Sequence, residues 1–171
     1  FLFLLLYSTN IYAEITRTFV TAIRPGTSGF TNMDGNVSVK DSLQNPFGVF
    51  VSPDGKTVIN VNNTTSSNHR CLTQLELSTP FELSTATLVE ETNILNTIAG
   101  QSGGRDDCHD IFISPNGLNM SVTNEQGLIY DFNLVTPFKL KGATLRGFDN
   151  VVRGNDIVFN NDGTKMFAID V

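Results

Sequence analysis

The densest group of residues able to do chemistry is the run Arg105-Asp-Asp-Cys-His-Asp110. Carboxylates favour Ca²⁺, whereas Cys and His side chains favour a softer divalent metal. A polar residue followed by aspartate and isoleucine, as in His109-Asp-Ile111, occurs again further along the chain at Asn155-Asp-Ile157. We therefore predict a ligand-binding site at Asp107, His109, Asp110, Asn155 and Asp156, with Asp110 and Asp156 as the candidate metal ligands.

A purely structural role accounts for the same residues. In this alternative, Asp110 and Asp156 accept backbone hydrogen bonds where strands begin, and His109 packs against its neighbours or faces water. Asp106 and Asp107 are then solvated loop charges beside Arg105. The sequence leaves both interpretations open.

The elements that position these residues belong to a repeat. Three segments share an apolar strand followed by a tight turn: Gly48-Val-Phe-Val-Ser-Pro-Asp-Gly55, Asp110-Ile-Phe-Ile-Ser-Pro-Asn-Gly117 and Asp156-Ile-Val-Phe-Asn-Asn-Asp-Gly163. Pro presets φ at the second turn position, and the final Gly accepts a positive φ. A second strand is predicted after each turn.

The first two copies share a further element. Residues 72–88 match residues 129–145, with the tripeptide Thr-Pro-Phe at the same place in both. This pattern predicts a third strand, a loop centred on Phe81 or Phe138, and a fourth strand. Each copy is thus a four-stranded antiparallel unit.

One such sheet cannot bury both of its faces, so the units must pack against one another. We predict an all-β fold, a partial β-propeller of about three blades. The blades are residues 44–107, residues 108–154 and the start of a third at residues 155–171. In a propeller, Asp110 and Asp156 approach each other at the mouth of the central channel. A β-sandwich is the alternative.

The repeats carry a family resemblance. The segments Ser52-Pro-Asp-Gly-Lys-Thr-Val-Ile-Asn-Val61 and Asn161-Asp-Gly-Thr-Lys-Met-Phe167 resemble the YVTN and lactonase-type propeller repeats of bacteria. The Thr-Pro-Phe element is similar to uncharacterised propeller-like repeats of marine bacteria and metagenomes. The resemblance implies a propeller and, in its catalytic form, an axial metal that polarises a lactone carbonyl. The first repeat departs from it, with Phe47 and Gly48 at the ligand positions.

The beginning of the chain predicts export. Residues 1–13 combine an apolar run with a small residue, Ala13, and are typical of a secretory signal that lacks its basic start. A buried strand or a short membrane anchor is the alternative. Residues 14–43 include a strand-like segment, which we interpret as a ring-closing strand and loop. Export places Cys71 and Cys108 in an oxidising compartment where a disulfide is permitted, although the sequence does not give their separation.

Charge limits the partners. Acidic residues outnumber basic ones by 17 to 11, which argues against nucleic acid and against docking on anionic lipid. We therefore expect a secreted, periplasmic or surface protein that binds a protein or polymer on a propeller face, without stable membrane insertion after signal cleavage. The alternative is a metal-dependent hydrolase of the lactonase type, with Ca²⁺ or another divalent metal. The sequence does not decide whether the chain is an enzyme.

Overall fold

The computed structural model describes residues 46–62, 71–100, 108–124, 126–149, 156–160 and 163–169. Repeat 1 contains the strands β1 (Pro46–Val51), β2 (Thr57–Asn62), β3 (Leu72–Leu77) and β4 (Ala86–Thr92). Repeat 2 contains β5 (Cys108–Ile113), β6 (Asn119–Asn124), β7 (Ile129–Asn133) and β8 (Thr144–Asp149). Repeat 3 contains β9 (Asp156–Phe159) and β10 (Met166–Ile169). The predicted signal, residues 1–13, and the predicted ring-closing segment, residues 14–43, lie outside the described residues.

Two short helical elements accompany the strands. A 3-10 turn, Leu83–Thr85, precedes β4, and the helix α1 (Ile94–Thr97) follows it. Ile94 and Leu95 of α1 are fully buried in the main core. Within the described part of the chain, no helix is long and apolar enough to cross a membrane.

The turn between the first two strands of each repeat has the predicted chemistry. Gly55, Gly117 and Gly163 have φ values of 69°, 74° and 71°. In repeat 1, the hydroxyl of Ser52 donates to Asp54 Oδ1 at 2.6 Å and the Lys56 N–H donates to the same oxygen at 3.1 Å. These bonds hold the pKa of the Asp54 carboxyl below its usual value. The turn is therefore specified by its own residues.

The Thr-Pro-Phe loop closes over this turn in both complete repeats. Phe81 and Phe138 have positive φ values of 62° and 61°, which is uncommon for a bulky residue. Their N–H groups donate to the carbonyl oxygens of Gly55 at 2.8 Å and Gly117 at 3.0 Å. Each aromatic ring occupies the space that a side chain on the glycine would need. The glycine is thus required both for its φ and for the ring above it.

The three repeats form three separate antiparallel sheets that pack in succession. The strand orders are β1-β2-β3-β4, β5-β6-β7-β8 and β9-β10. The first strands are neighbours, with β1 beside β5 and β5 beside β9. Because each Gly-ended hairpin lies in its own sheet, the arrangement is that of a partial propeller and differs from the two halves of a sandwich. The predicted all-β fold class is confirmed.

The first strand of repeat 2, β5, presents one face to repeat 1 and the other to repeat 3. In β5, Ile111 and Ile113 are buried against repeat 1, as members of a core cluster that includes Ile59 and Val61. Phe112, which points the opposite way, stacks on Phe159 of β9 with ring centroids 4.2 Å apart. The near-continuous apolar pattern of this strand follows from burial on both faces.

Candidate functional site at the entry edge

We call the side of the sheets where β1, β5 and β9 begin the entry edge, and the opposite side the turn edge. Asp110 lies at the entry edge in a β-bulge, where the register between β5 and β6 shifts between Cys108 and Ile111. A bulge re-aims the side chains of the strand that contains it. The Asp110 N–H donates to the hydroxyl of Thr123 at 2.9 Å, which fixes the backbone of the bulge.

The Asp110 carboxylate joins repeat 2 to repeat 3. Its Oδ2 accepts a hydrogen bond of 2.9 Å from the N–H of Ile157, the second residue of β9. That N–H would otherwise be an unpaired donor at the start of a strand. This is the structural role that the sequence allowed for Asp110 as the alternative to metal binding.

The electrostatic environment of Asp110 is mixed. Burial raises the pKa of its carboxyl above the ordinary value of 3.8, hydrogen bonds from the Ile157 and Ile111 N–H groups lower it, and the nearby carboxylate of Asp156 raises it again. The net direction is upward. A carboxyl with a raised pKa beside a second carboxylate can serve as a proton donor or cation ligand, as well as a structural acceptor.

Gly48, the residue of repeat 1 that aligns with Asp110, has a role that the sequence alone does not reveal. A Cβ placed on Gly48 would lie 2.9 Å from Asp110 Oδ1 and 3.4 Å from the carbonyl oxygen of His109. Glycine at this position of repeat 1 thus leaves room for the carboxylate of repeat 2. Gly48 acts as a positioning residue for Asp110.

His109 packs against repeat 1. Its imidazole stacks on Phe47 with ring centroids 4.9 Å apart and an interplanar angle of 18°. Its Nε2 is buried and has no hydrogen-bond partner among the described residues. Phe47 and His109 occupy equivalent positions in the two repeats, so the stack is a contact between repeats.

The predicted site is thus only partly assembled from described residues. Asp110 and Asp156 are brought near each other, His109 is adjacent in sequence, and Asp107 and Asn155 lie outside the described residues. No group of three or more His, Cys, Asp or Glu side chains suited to a metal occurs in the parts of the chain that are described. Two carboxylates are fewer oxygen ligands than Ca²⁺ takes. The metal site remains a prediction that depends on further ligands.

The two cysteines form a disulfide between Cys71 and Cys108, with Cα atoms 5.2 Å apart. Cys108 therefore offers no thiolate to a metal, and the softer-metal alternative loses that ligand. Cys71 immediately precedes β3 and Cys108 begins β5. The disulfide therefore joins repeats 1 and 2 where β3 and β5 begin.

A group of polar contacts away from the entry edge also links repeats 1 and 2. Gln74 Oε1 accepts a buried hydrogen bond of 2.9 Å from the Leu140 N–H. Glu76 forms an ion pair with Lys139 and accepts a bond of 2.7 Å from Gln74 Nε2. The strand pattern predicts that the Gln74 face of β3 is polar, yet Gln74 is only 2% exposed. The missed signal is that Gln74 has a polar counterpart, Asp131, in repeat 2.

Comparisons with known proteins bear on the fold. No protein-family model matches the chain, and a comparison with curated proteins finds no match. The fold is similar to the crystal structure of a protein from Bacteroides uniformis provisionally assigned as a 6-phosphogluconolactonase, with 17% identity and a TM-score of 0.50. The match covers 81% of this chain and 36% of that one, so the chain spans about a third of its length.

A second structure, a protein of unknown function from Desulfotomaculum acetoxidans, matches with 14% identity and a TM-score of 0.34. The match covers 72% of this chain and 48% of that one, and it is too weak to support a conclusion. The first similarity shows a β-rich fold of the kind found in a lactonase-like protein. At that identity it shows the fold alone.

Proposed function

We propose that this chain is an exported binding module whose partner, a protein or a polymer, contacts the entry edge. The observation that carries the proposal is the hydrogen bond from the Ile157 N–H to Asp110 Oδ2. This bond gives the most prominent candidate ligand a structural task between two repeats. A carboxylate held by a backbone donor at a repeat boundary is explained without catalysis.

The two polar segments 63–70 and 101–107 support the entry edge as the binding face. Segments 63–70 and 101–107 are polar, and both lead into strands at this edge, which pairs Pro46 with Asn62 and Cys108 with Asn124. The disulfide between Cys71 and Cys108 links the two residues that directly follow these segments. Polar segments that connect the strands of a rigid sheet scaffold often carry recognition residues. The turn edge instead has short turns closed by Phe81 and Phe138.

Export agrees with the chemistry of the disulfide. Disulfides form and persist in oxidising compartments and are rare in the reducing cytosol. A secreted, periplasmic or surface location is therefore part of the proposal. Fractionation of cells that express the chain behind an intact signal tests it: recovery of reduced chain only in the cytosol would contradict export.

Binding is tested with two loop variants of the full chain. In each, the residues of 63–70 or of 101–107 are replaced by a Gly-Ser linker of equal length, while both cysteines are kept. We expect both replacements to abolish binding to a polymer or protein found by array screening. A matched control replaces the exposed turn residue Asn116 by Ser at the turn edge. Loss of binding in the control alone would place the partner elsewhere and refute the proposal.

A second candidate function, metal-dependent lactone hydrolysis, is favoured by one observation. The Asp156 carboxylate is close enough to Asp110 to raise its pKa, so two acidic groups share the entry edge. Similarity in fold to a protein provisionally assigned as a 6-phosphogluconolactonase is consistent with this candidate. Hydrolysis of δ-lactones that requires Ca²⁺, Zn²⁺ or Mn²⁺ and is lost in Asp110→Asn would favour catalysis. No metal retained by the purified chain, and no hydrolysis above background, would exclude it.

A further inference from the structure

Three polar side chains meet where the loop after β7 lies against β3, away from the entry edge. They are Gln74 and Glu76 of repeat 1 and Lys139 of repeat 2. Gln74 is 2% exposed, and the side chains of Lys139 and Glu76 are 35% and 30% exposed. A carboxamide, a carboxylate and a primary amine thus lie together, largely out of water, at the boundary between two repeats.

One carboxylate oxygen holds both the amine and the carboxamide. Lys139 Nζ forms an ion pair with Glu76 Oε1, and Gln74 Nε2 donates to the same oxygen at 2.7 Å. The Thr57 hydroxyl accepts from Lys139 Nζ at 3.4 Å and donates to Glu76 Oε1 at 3.2 Å. The amine and the amide nitrogen are therefore bridged by a group that can take a proton from one and give a proton to the other.

The oxygen of the same carboxamide is held by the backbone. The Leu140 N–H donates to Gln74 Oε1 at 2.9 Å. A donor fixed at this oxygen stabilises the negative charge that develops there when a nucleophile adds to the amide carbon. Because Leu140 directly follows Lys139, one stretch of loop supplies both the nucleophile and the oxyanion donor. The components of an acyl transfer onto lysine are all present.

The set of side chains is not part of the repeat pattern. Aligning the repeats places Asp131 over Gln74 and Asn133 over Glu76. In the Thr-Pro-Phe loop of repeat 1, the residue that aligns with Lys139 is Glu82. None of the three side chains recurs in the other complete repeat. The set is therefore specific to the boundary between repeats 1 and 2.

We propose that Gln74 and Lys139 form an intramolecular isopeptide bond, with Glu76 as the catalytic residue. Glu76 takes a proton from the Lys139 ammonium, and the neutral Nζ attacks Gln74 Cδ. The Leu140 N–H holds the negative charge on Oε1. Glu76 then passes its proton to Nε2 and takes the excess proton from Nζ. The bond between Cδ and Nε2 breaks, and the departing ammonia takes that proton from Glu76 and leaves as ammonium.

The product is a second covalent link between repeats 1 and 2. The disulfide ties the start of β3 to the start of β5, whereas the isopeptide bond ties the middle of β3 to the loop after β7. The reaction exchanges one amide for another and releases ammonia, so it consumes no oxidant and needs no cofactor. Since the reacting groups come from two repeats, the bond forms only after those repeats have packed together.

Mass spectrometry of the intact, reduced wild-type chain tests the proposal. We expect a mass lower by one ammonia than the sequence gives, and a branched peptide in which Gln74 is joined to Lys139. Trypsin should fail to cleave after Lys139, because its amine is acylated. A folded wild-type chain that keeps its full mass after prolonged incubation would overturn the proposal.

Three variants assign the roles of the side chains. Lys139→Arg keeps a cation beside Glu76 but offers no amine that can lose its proton, so this variant should keep its full mass. Glu76→Gln keeps the shape without the proton acceptor and should slow bond formation by at least about 100-fold. Lys141→Arg, at an exposed lysine two residues further on, is the matched control and should lose ammonia as wild type does.

Formation of the disulfide between Cys71 and Cys108 in each variant shows that repeats 1 and 2 have packed together. A branched peptide that persists in Lys139→Arg, or an unchanged rate of bond formation in Glu76→Gln, would overturn the assignment. Ammonia lost without a branched peptide, as in cyclisation of an asparagine, would also overturn it.

Discussion

The first strands of repeats 1 and 2 have nearly the same sequence and very different surroundings. Ile111 and Ile113 of β5 are 7% and 3% exposed, while the aligned Val49 and Val51 of β1 are 64% and 42% exposed. Repeat 1 covers the face of β5, and nothing among the described residues covers the same face of β1. Strand pattern therefore specifies which side chains are apolar, and the neighbouring repeat decides how much each contributes to stability.

Among the described residues, the boundary between repeats 1 and 2 also has contacts that are not found between repeats 2 and 3. It contains the disulfide, the stacked pair Phe50 and Phe138, and the ion pair of Glu76 with Lys139. The second boundary contains the Asp110 carboxylate bound to the Ile157 N–H and the stacked pair Phe112 and Phe159. We expect repeats 1 and 2 to unfold as one cooperative unit and repeat 3 to open at lower free energy.

The largest expected effect on stability comes from removing the disulfide between Cys71 and Cys108. Replacing Cys71 and Cys108 by Ser removes a cross-link between residues 37 apart and should lower the free energy of unfolding by about 3–4 kcal/mol. Urea denaturation of the wild-type chain and of the double variant measures the difference in the free energy of unfolding. Adding a reductant to the double variant is the control and should change nothing. A difference below about 1 kcal/mol would show that the disulfide constrains little beyond what packing already fixes.

The next effect compares equivalent positions directly. Ile113→Ala leaves a cavity beneath repeat 1 and should cost about 2–4 kcal/mol, whereas Val51→Ala should cost less than about 1 kcal/mol. Both values are read from the shift of the urea midpoint at constant slope. Equal costs would mean that the exposed face of β1 is covered in solution, and they would contradict the contrast drawn from burial.

The two aromatic loops provide a similar test with a smaller contrast. Phe138 stacks on Phe50 of the preceding repeat, whereas Phe81, built in the same way, is 58% exposed. We expect Phe138→Ala to cost about 2 kcal/mol, below the range for a fully buried Phe, and Phe81→Ala about 1 kcal/mol or less. In the variant Phe50→Ala, the cost of Phe138→Ala should fall towards that of Phe81→Ala. Full additivity of the two changes would rule out coupling through the stack.

Gly48 should be sensitive to a single added methyl group. Gly48→Ala places a Cβ 2.9 Å from Asp110 Oδ1, so the carboxylate must shift away from the Ile157 N–H, at a cost of about 1 kcal/mol. Gly147→Ala is the matched control, because a Cβ on this strand glycine meets no atom within 4 Å. Thermal unfolding gives the Tm of each variant. Equal Tm values would show that the close approach of the Asp110 carboxylate does not restrict position 48 to glycine.

The smallest effect is the dependence of stability on pH through Asp110. Its pKa is raised by burial and by Asp156, so ionisation costs more in the folded chain than in the unfolded one. Below the ordinary value of 3.8 both states are protonated, and the penalty appears as pH rises through the folded pKa. Asp110→Asn keeps an oxygen acceptor for the Ile157 N–H without the charge.

Wild type should therefore lose stability relative to Asp110→Asn as pH rises above about 4, and the difference should level off above the folded pKa. Urea denaturation from pH 3.5 to 7 follows the difference. Asp54→Asn is a useful contrast, because the pKa of this exposed carboxyl is lowered. The contribution of Asp54 to the free energy of unfolding should therefore increase with rising pH, whereas that of Asp110 should decrease. A wild-type chain that gains stability over Asp110→Asn with rising pH would show that the backbone hydrogen bonds outweigh burial.

Much of the fold could be predicted from local residues. The strand and turn pattern of the three Gly-ended hairpins, the positive φ at Gly55 and Gly117, and the Thr-Pro-Phe loops all follow from side chains within a few positions of one another. The candidate site was only partly predictable. The repeat alignment predicts that Asp110 and Asp156 lie close together, but the partner of Asp110 is a backbone N–H 47 residues away, and no pattern of side chains marks such a donor.

The sequence by itself determined the repeat, the turns and the placement of apolar side chains along each strand, because backbone φ preferences and short-range hydrogen bonds are local. Only the tertiary structure decided which of those side chains are buried, that Gly48 leaves room for the Asp110 carboxylate, and that Gln74 is an acceptor between repeats. These outcomes depend on surfaces contributed by distant parts of the chain. Burial and electrostatics are set by what lies across the interface, and strands of similar sequence therefore differ wherever their neighbours differ.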